Sequence, residues 1–198
     1  MHSAAQNILR RIRSKGRGWV FTPKDFLDLG QRSNVDFILH SLVQDGTVRR
    51  ISHGLYDFPR RHPKLGDLSP DRLAVAQAVA RQHGDTICPT GAQAANMLGL
   101  STQVPAKPVF ATTGKAKTVN LGENQITLVP TRVPPFQKDG KGFLVLQALD
   151  YLGRDFVDGD MLRKCGQMLS STDKTQIRKN LTRLKSPWLV DVARQLAA

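Results

Sequence analysis

Ala4, Ile8, Leu9 and Ile12 recur at helical spacing and predict a helix opened by Ser3 as N-cap and stopped at Gly16. Arg10, Arg11, Arg13 and Lys15 crowd its other side. Gly18-Trp19-Val20-Phe21 is a short apolar entry to Thr22-Pro23, where a capping hydroxyl precedes a proline at the first helical position. The helix this pair opens, Lys24 to Leu29, is short and ends at Gly30. A third helix starts at Arg32 or Ser33. Val35, Ile38, Leu39, Leu42 and Val43 give it one apolar stripe, and Gly46 ends it. Asn34, Phe37, His40, Ser41 and Gln44 lie off that stripe. The period then falls to two. Thr47 to Ile51 predicts a strand, Ser52-His53-Gly54 a turn, and Leu55 to Phe58 a second strand closed by Pro59.

Residues 59–70 are rich in proline and arginine and read as an extended linker. A helix capped by Ser69 follows, opening at Pro70-Asp71 and ending near Gly84. Thr90 caps a short helix of small residues that stops at Gly99, and Ser101 to Pro105 is a loop. Val109 to Thr112 predicts a strand, and Lys117–Asn120 with Gln125–Val129 a hairpin whose turn holds Glu123. Thr131 to Gly142 is a loop. Beyond it come four short amphipathic helices: one from Phe143, one capped by Asp158, one capped by Thr172-Asp173, and one opening at Pro187-Trp188. The fold class this implies is α+β: a winged helix-turn-helix over residues 1–60, then an α+β domain over 61–198 ending in a small helical bundle.

Three helices followed by a hairpin, with a tight turn between the second and third, is the winged helix-turn-helix order. In that architecture the third helix enters the major groove and the hairpin lies against the backbone or minor groove. Arg32, Ser33 and Asn34 then stand at the head of the reading helix, with Phe37 and His40 further along its outer face. Arg49, Arg50 and His53 are placed as wing contacts to phosphate, and Arg17, Thr22 and Lys24 as contacts from the preceding segments. His40 reads equally as an ordinary surface histidine. Phe37, a large aromatic off the apolar stripe, has three open roles: contact with a thymine methyl, packing on the wing, or contact with another protein.

The charge agrees with a polyanionic partner. Of 198 residues, 29 are Lys or Arg and 16 Asp or Glu, giving a net +13. Residues 1–62 carry +6, 63–141 +4 and 142–198 +3, so the excess is densest at the N-terminus but runs throughout. Nucleic acid is the commonest such partner. No apolar run approaches the roughly 20 residues of a membrane helix, and the N-terminus turns basic after its apolar stretch, the reverse of a secretory signal. The expected compartment is the cytoplasm. Cys88 and Cys165, 77 positions apart, form no C-x-x-C pair and read as small buried thiols. The five histidines have no metal-ligand spacing, so neither a zinc site nor any cofactor is expected. There is no G-x-G-x-x-G, Walker loop, G-x-S-x-G or H-E-x-x-H, and Asp155, Asp158 and Asp160 lack the calcium-loop pattern. Catalytic residues are not expected, and the chain is not read as an enzyme.

Three stretches carry a resemblance to a family: Arg17-Gly-Trp-Val-Phe-Thr-Pro-Lys-Asp-Phe-Leu-Asp-Leu-Gly30, Gly54-Leu-Tyr56, and Thr90-Gly-Ala-Gln-Ala-Ala-Asn-Met-Leu-Gly-Leu-Ser-Thr-Gln-Val-Pro105. The chain resembles the abortive-infection E (AbiE) antitoxin-like transcriptional regulators over about its whole length, and the Thr90–Pro105 block is the more specific marker. The resemblance implies a bacterial type IV toxin–antitoxin module, an element of phage defence. Its antitoxin represses its own promoter at inverted repeats and opposes a nucleotidyltransferase toxin without a stable complex. Its winged helix reads double-stranded DNA, which places Thr22, Lys24, Ser33, Asn34, Arg49, Arg50 and His53 in DNA-contacting elements. Its C-terminal domain carries antitoxicity, for which a basic C-terminal surface is the one hint here. The alternatives are a protein-docking module anchored on Phe37 and the Trp188 helix, and an RNA-binding module. With two Tyr and two Trp, the chain is poorly supplied for extensive base stacking.

Overall fold

The computed structural model describes residues 3–103, 109–122, 124–136 and 140–198. The fold is α+β. The chain divides into two compact units, the first formed by residues 1–86 with 117–127 and the second by 87–116 with 128–198.

The first unit opens with α1 (Ala4–Lys15), held at its start by a capping box in which Ser3 and Gln6 bond each other's backbone. Ile8 and Ile12 are fully buried. β1 (Val20–Phe21) leads into a single 3-10 turn, Pro23–Phe26, where the sequence pattern predicts a helix to Leu29. Asp25 shortens it: its carboxylate accepts from the Thr22 backbone N–H at 2.8 Å and from the Arg81 guanidinium, which ties the turn into the body of the unit. α2 (Arg32–Gln44) buries Val35, Ile38, Leu39 and Leu42, four of the five positions of the predicted stripe. β2 (Arg49–Ser52) and β3 (Leu55–Asp57) form the hairpin, with Arg49 opposite Asp57 and Arg50 opposite Tyr56. β1 lies on the other side of β3, Val20 opposite Asp57 and Phe21 opposite Tyr56, so the sheet order is β1-β3-β2. Phe21, Phe26 and Tyr56 meet in its core, the first two edge to face at 5.4 Å.

The segment read as a bare linker holds a two-stranded hairpin, β4 (Arg61–His62) with β5 (Gly66–Asp67), closed by an Arg61–Asp67 ion pair. α3 (Arg72–Gln82) is capped by Asp71, not Ser69: the Asp71 carboxylate accepts from the Ala74 N–H at 2.8 Å. α3 belongs to the first unit, and the boundary expected after residue 60 is not where the compact units part. The reason is Arg81, which donates to Asp25 and to the Val20 carbonyl.

β6 (Ile87–Cys88), β7 (Val109–Thr112), β8 (Lys117–Leu121) and β9 (Asn124–Pro130) follow, in the sheet order β6-β7-β9-β8. The expected hairpin turn residue Glu123 lies outside the described residues, as does the end of the 101–105 loop. α4 (Gly91–Met97) has the predicted cap, a box between Thr90 and Gln93. It packs on α5 (Lys141–Leu152) through Ala94, Ala95 and Ala148. Gly91 sets that approach, since a Cβ there would meet the Tyr151 Cβ and come within 3.0 Å of the Gln147 carbonyl oxygen. α6 (Gly159–Met168) is capped by Asp158 as expected. α7 (Ser171–Asn180) starts two residues earlier than expected: Ser170 is its cap and Asp173 the third residue of the box. α8 (Pro187–Ala197) is capped by Ser186. Phe143, Leu146, Leu149, Cys165, Ile177, Leu189 and Val192 share the core of this unit.

Candidate nucleic-acid interface

Burial of one stripe of α2 leaves the other outward. Arg32, Ser33, Asn34, Phe37, His40, Ser41 and Gln44 are all exposed. Ser33, Phe37, Ser41 and Gln44 follow one another at helical spacing, so the face is continuous. Its chemistry is amide, hydroxyl and imidazole, with one aromatic ring. Arg32 at its head donates to Asp36 at 2.8 Å, an exposed pair one turn apart.

The hairpin separates its two arginines. Arg50 is exposed, and its Nη2 lies 3.1 Å from Nδ1 of the exposed His53. A guanidinium only donates, so Nδ1 is the acceptor in this contact. Arg49 takes the opposite part. It donates to both oxygens of Asp57, from Nε at 3.0 Å and Nη2 at 2.7 Å, and again from Nη2 to the Leu68 carbonyl at 2.8 Å. Asp57 is 1% exposed, and its hydrogen bonds hold the Arg49 guanidinium above its ordinary pKa, against the effect of burial. Arg49 is therefore a structural cation, not the free phosphate ligand expected of it.

Three more expected contacts are engaged within the protein. Thr22 is 1% exposed, and its N–H and hydroxyl are both turned to Asp25, so it has nothing left for phosphate. Arg17 is spread over the Phe58 ring at 4.6 Å and donates to the Pro59 carbonyl. Lys24 is exposed but donates to the Gln82 carbonyl at 2.9 Å. Of the expected set the structure keeps Arg32, Ser33, Asn34, Phe37 and His40 together on α2 and Arg50 with His53 on the hairpin. Sequence reasoning missed that Asp57 and Leu68 would claim Arg49. An acidic residue at the end of β3 was the only hint, and the register of β2 with β3 decides that Asp57 takes Arg49.

Net charge does not single out this face. The first unit has 15 Lys and Arg against 9 Asp and Glu, and the second 14 against 7. In the second unit the cations gather on α7 and the turn after it. Arg178, Lys179 and Lys185 are exposed there without a hydrogen-bond or ion-pair partner among the described residues, and Lys174 is half-buried without one.

The same unit has a cavity of about 300 Å³ beside α4, with Thr90, Gly91, Thr131, Arg132, Asp150 and Tyr151 among its lining residues. Gln147 stands at its back, 6% exposed, donating to the Pro89 carbonyl at 3.2 Å and sharing the Thr131 hydroxyl at 2.9 Å. Burial raises the Asp150 carboxyl above its ordinary pKa, with the Arg132 charge opposing the shift. Burial also pushes the Cys88 thiol up to about 11, and raises Cys165, so neither is a thiolate at neutral pH. Among the described residues no group of three or more His, Cys, Asp or Glu is placed to hold a metal ion, and no helix is long and apolar enough to cross a membrane.

A protein-family model matches residues 7–185 of this chain, and the family that it describes is one of unknown function. No curated protein matches the chain.

Proposed function

The chain belongs to that family, DUF6088, and from this premise we propose that it is a sequence-specific DNA-binding repressor whose reading element is the outward face of α2. One observation carries the reading. An amphipathic helix with a polar, hydrogen-bonding outer face precedes a two-stranded hairpin that presents an exposed arginine beside a histidine. The order helix, strand, turn, helix, hairpin, with the first strand laid on the last, suits a winged helix-turn-helix. Ser33 and Asn34 stand at the head of the helix, where side chains reach base edges, and Asn is suited to a bidentate contact with adenine. His40 lies further along. Arg50 and His53 on the hairpin contact phosphate, supplying affinity without sequence information. The protein acts in the cytoplasm, on double-stranded DNA.

The narrower reading, an autoregulating antitoxin that opposes a nucleotidyltransferase toxin, rests on the resemblance carried by the Thr90–Pro105 block and by the Arg17–Gly30 stretch. The α7 cations are the surface on which it would place antitoxicity. A reporter driven by the DNA upstream of the protein's own gene tests the repressor reading. Supplying the protein in trans lowers reporter output, and Asn34→Ala restores it while the protein accumulates normally. Unchanged reporter output with the wild-type protein present in quantity contradicts it.

A further inference from the structure

Phe37 is the one aromatic residue on the outer face of α2, and it is 73% exposed. That exposure removes one of the three roles open to it, because a ring packed on the hairpin would be covered. Two remain, a groove contact and a protein contact, and the surroundings distinguish them. Apolar anchors of protein interfaces sit in well-packed patches where neighbouring contacts exclude water. Phe37 has no such setting. The residues one turn before and after it, Ser33, Asn34, His40 and Ser41, are polar and exposed, and the buried residues of α2 face the other way. The other exposed large apolar side chains of the first unit, Leu27, Leu65 and Leu73, all lie on other segments.

A single apolar group framed by hydrogen-bonding groups matches the floor of the major groove. There the base edges present donors and acceptors, and the C5-methyl of thymine is the only apolar feature. We propose that Phe37 is a specificity-determining residue that packs against a thymine C5-methyl in the recognised site. This rests on the reading of α2 as the DNA-reading helix and deepens it. Phe37 stands one helical turn from both Ser33 and Asn34. The thymine therefore lies next to the bases that those two residues contact, and Phe37 sets preference at that position alone.

The test is selection of binding sites from a random duplex library by the full chain, followed by titration of the selected site with each thymine replaced in turn by deoxyuridine. That replacement deletes the methyl and leaves the hydrogen-bonding edge intact. For the wild type, one replacement weakens binding about fourfold, the size expected for one methyl group withdrawn from an apolar contact, and the others do not. Phe37→Ala weakens binding to the thymine site by at least as much and is indifferent to the replacement. Its exposed side chain makes the variant safe to fold. If the wild type enriches no site, the DNA reading fails and this inference with it. If a site is enriched but every deoxyuridine is neutral, or the variant is as sensitive as the wild type, the methyl contact is overturned while the DNA reading stands. A variant that binds the site with wild-type affinity and preference overturns the inference equally.

Discussion

Arg49 and Asp57 face each other across β2 and β3, joined by two hydrogen bonds, with the carboxylate almost wholly buried. The neighbouring pair position holds Arg50 opposite Tyr56, and its guanidinium is outside. Two adjacent arginines thus divide the work. One fixes the hairpin to the segment that follows it through the Leu68 carbonyl, and the other lies exposed beside His53.

That division gives opposite outcomes for the two alanine variants. Arg49→Ala leaves a buried carboxylate without its partner. Breaking a fully buried pair costs about 3–5 kcal/mol, and because Arg49 is one-third exposed the loss here is nearer about 2 kcal/mol. Thermal unfolding should show a clear drop in Tm. Arg50→Ala should leave Tm within a degree or so, weaken binding to all duplexes alike, and lower the slope of log K against log salt by about one.

Asn34 should behave differently from Arg50. If Asn34 reads a base edge as proposed, Asn34→Ala should cost about 1–3 kcal/mol at one base position and leave the salt slope unchanged. Competition titrations with single-base variants of the preferred site measure this directly.

Gly91 should tolerate no side chain. A Cβ at this position meets the Tyr151 Cβ and a backbone oxygen of α5, neither of which can swing aside. Gly91→Ala should destabilise the protein by about 1–3 kcal/mol, as overpacking does. Chemical denaturation reads it. An unchanged midpoint would show that the α4–α5 contact is looser than described.

Two carboxylates give pH dependences of opposite sign. Asp150 has its folded pKa raised by burial. The stability that it contributes is full below the ordinary carboxylate pKa and is lost as pH rises through the raised value. Asp150→Asn should therefore be more stable than the wild type at neutral pH, and the difference should vanish in acid. Asp173 is also disfavoured by burial, but hydrogen bonds from Ser170 and from the Gly142 N–H outweigh this and lower its pKa. Its contribution is present above the ordinary pKa and is lost as pH falls through the lowered one. Asp173→Asn should narrow the gap to wild type in acid. Tm measured against pH for the three proteins separates the two effects.

Most of the elements were legible because local signals and burial agree. The stripe of α2, the Ser3, Thr90 and Asp158 caps, and the β8–β9 hairpin all follow from side chains that act within a few residues of themselves. The 3-10 turn at Pro23–Phe26 was not legible, because Arg81, 56 positions away, holds the Asp25 that shapes it. The α7 cap was misplaced by two residues because Ser170 and Thr172 are both good caps. Only the bond from Asp173 back to the Ser170 N–H decides between them. At the candidate interface, the sequence separates the buried and outward sides of α2 but cannot tell Arg49 from Arg50. Adjacent strand residues point to opposite sides, and which side holds an acceptor depends on register with β3.

In the proposed function the outward face of α2 reads duplex DNA. Its most direct test is a titration of the protein against the duplex upstream of its own gene and against a scrambled duplex of equal length, each at two salt concentrations. The expected result is salt-sensitive binding that favours the native duplex by about a hundredfold or more, the order of typical specificity ratios. Equal affinity for the two duplexes at both salts would contradict it, leaving the positive charge as generic and α2 without a sequence to read.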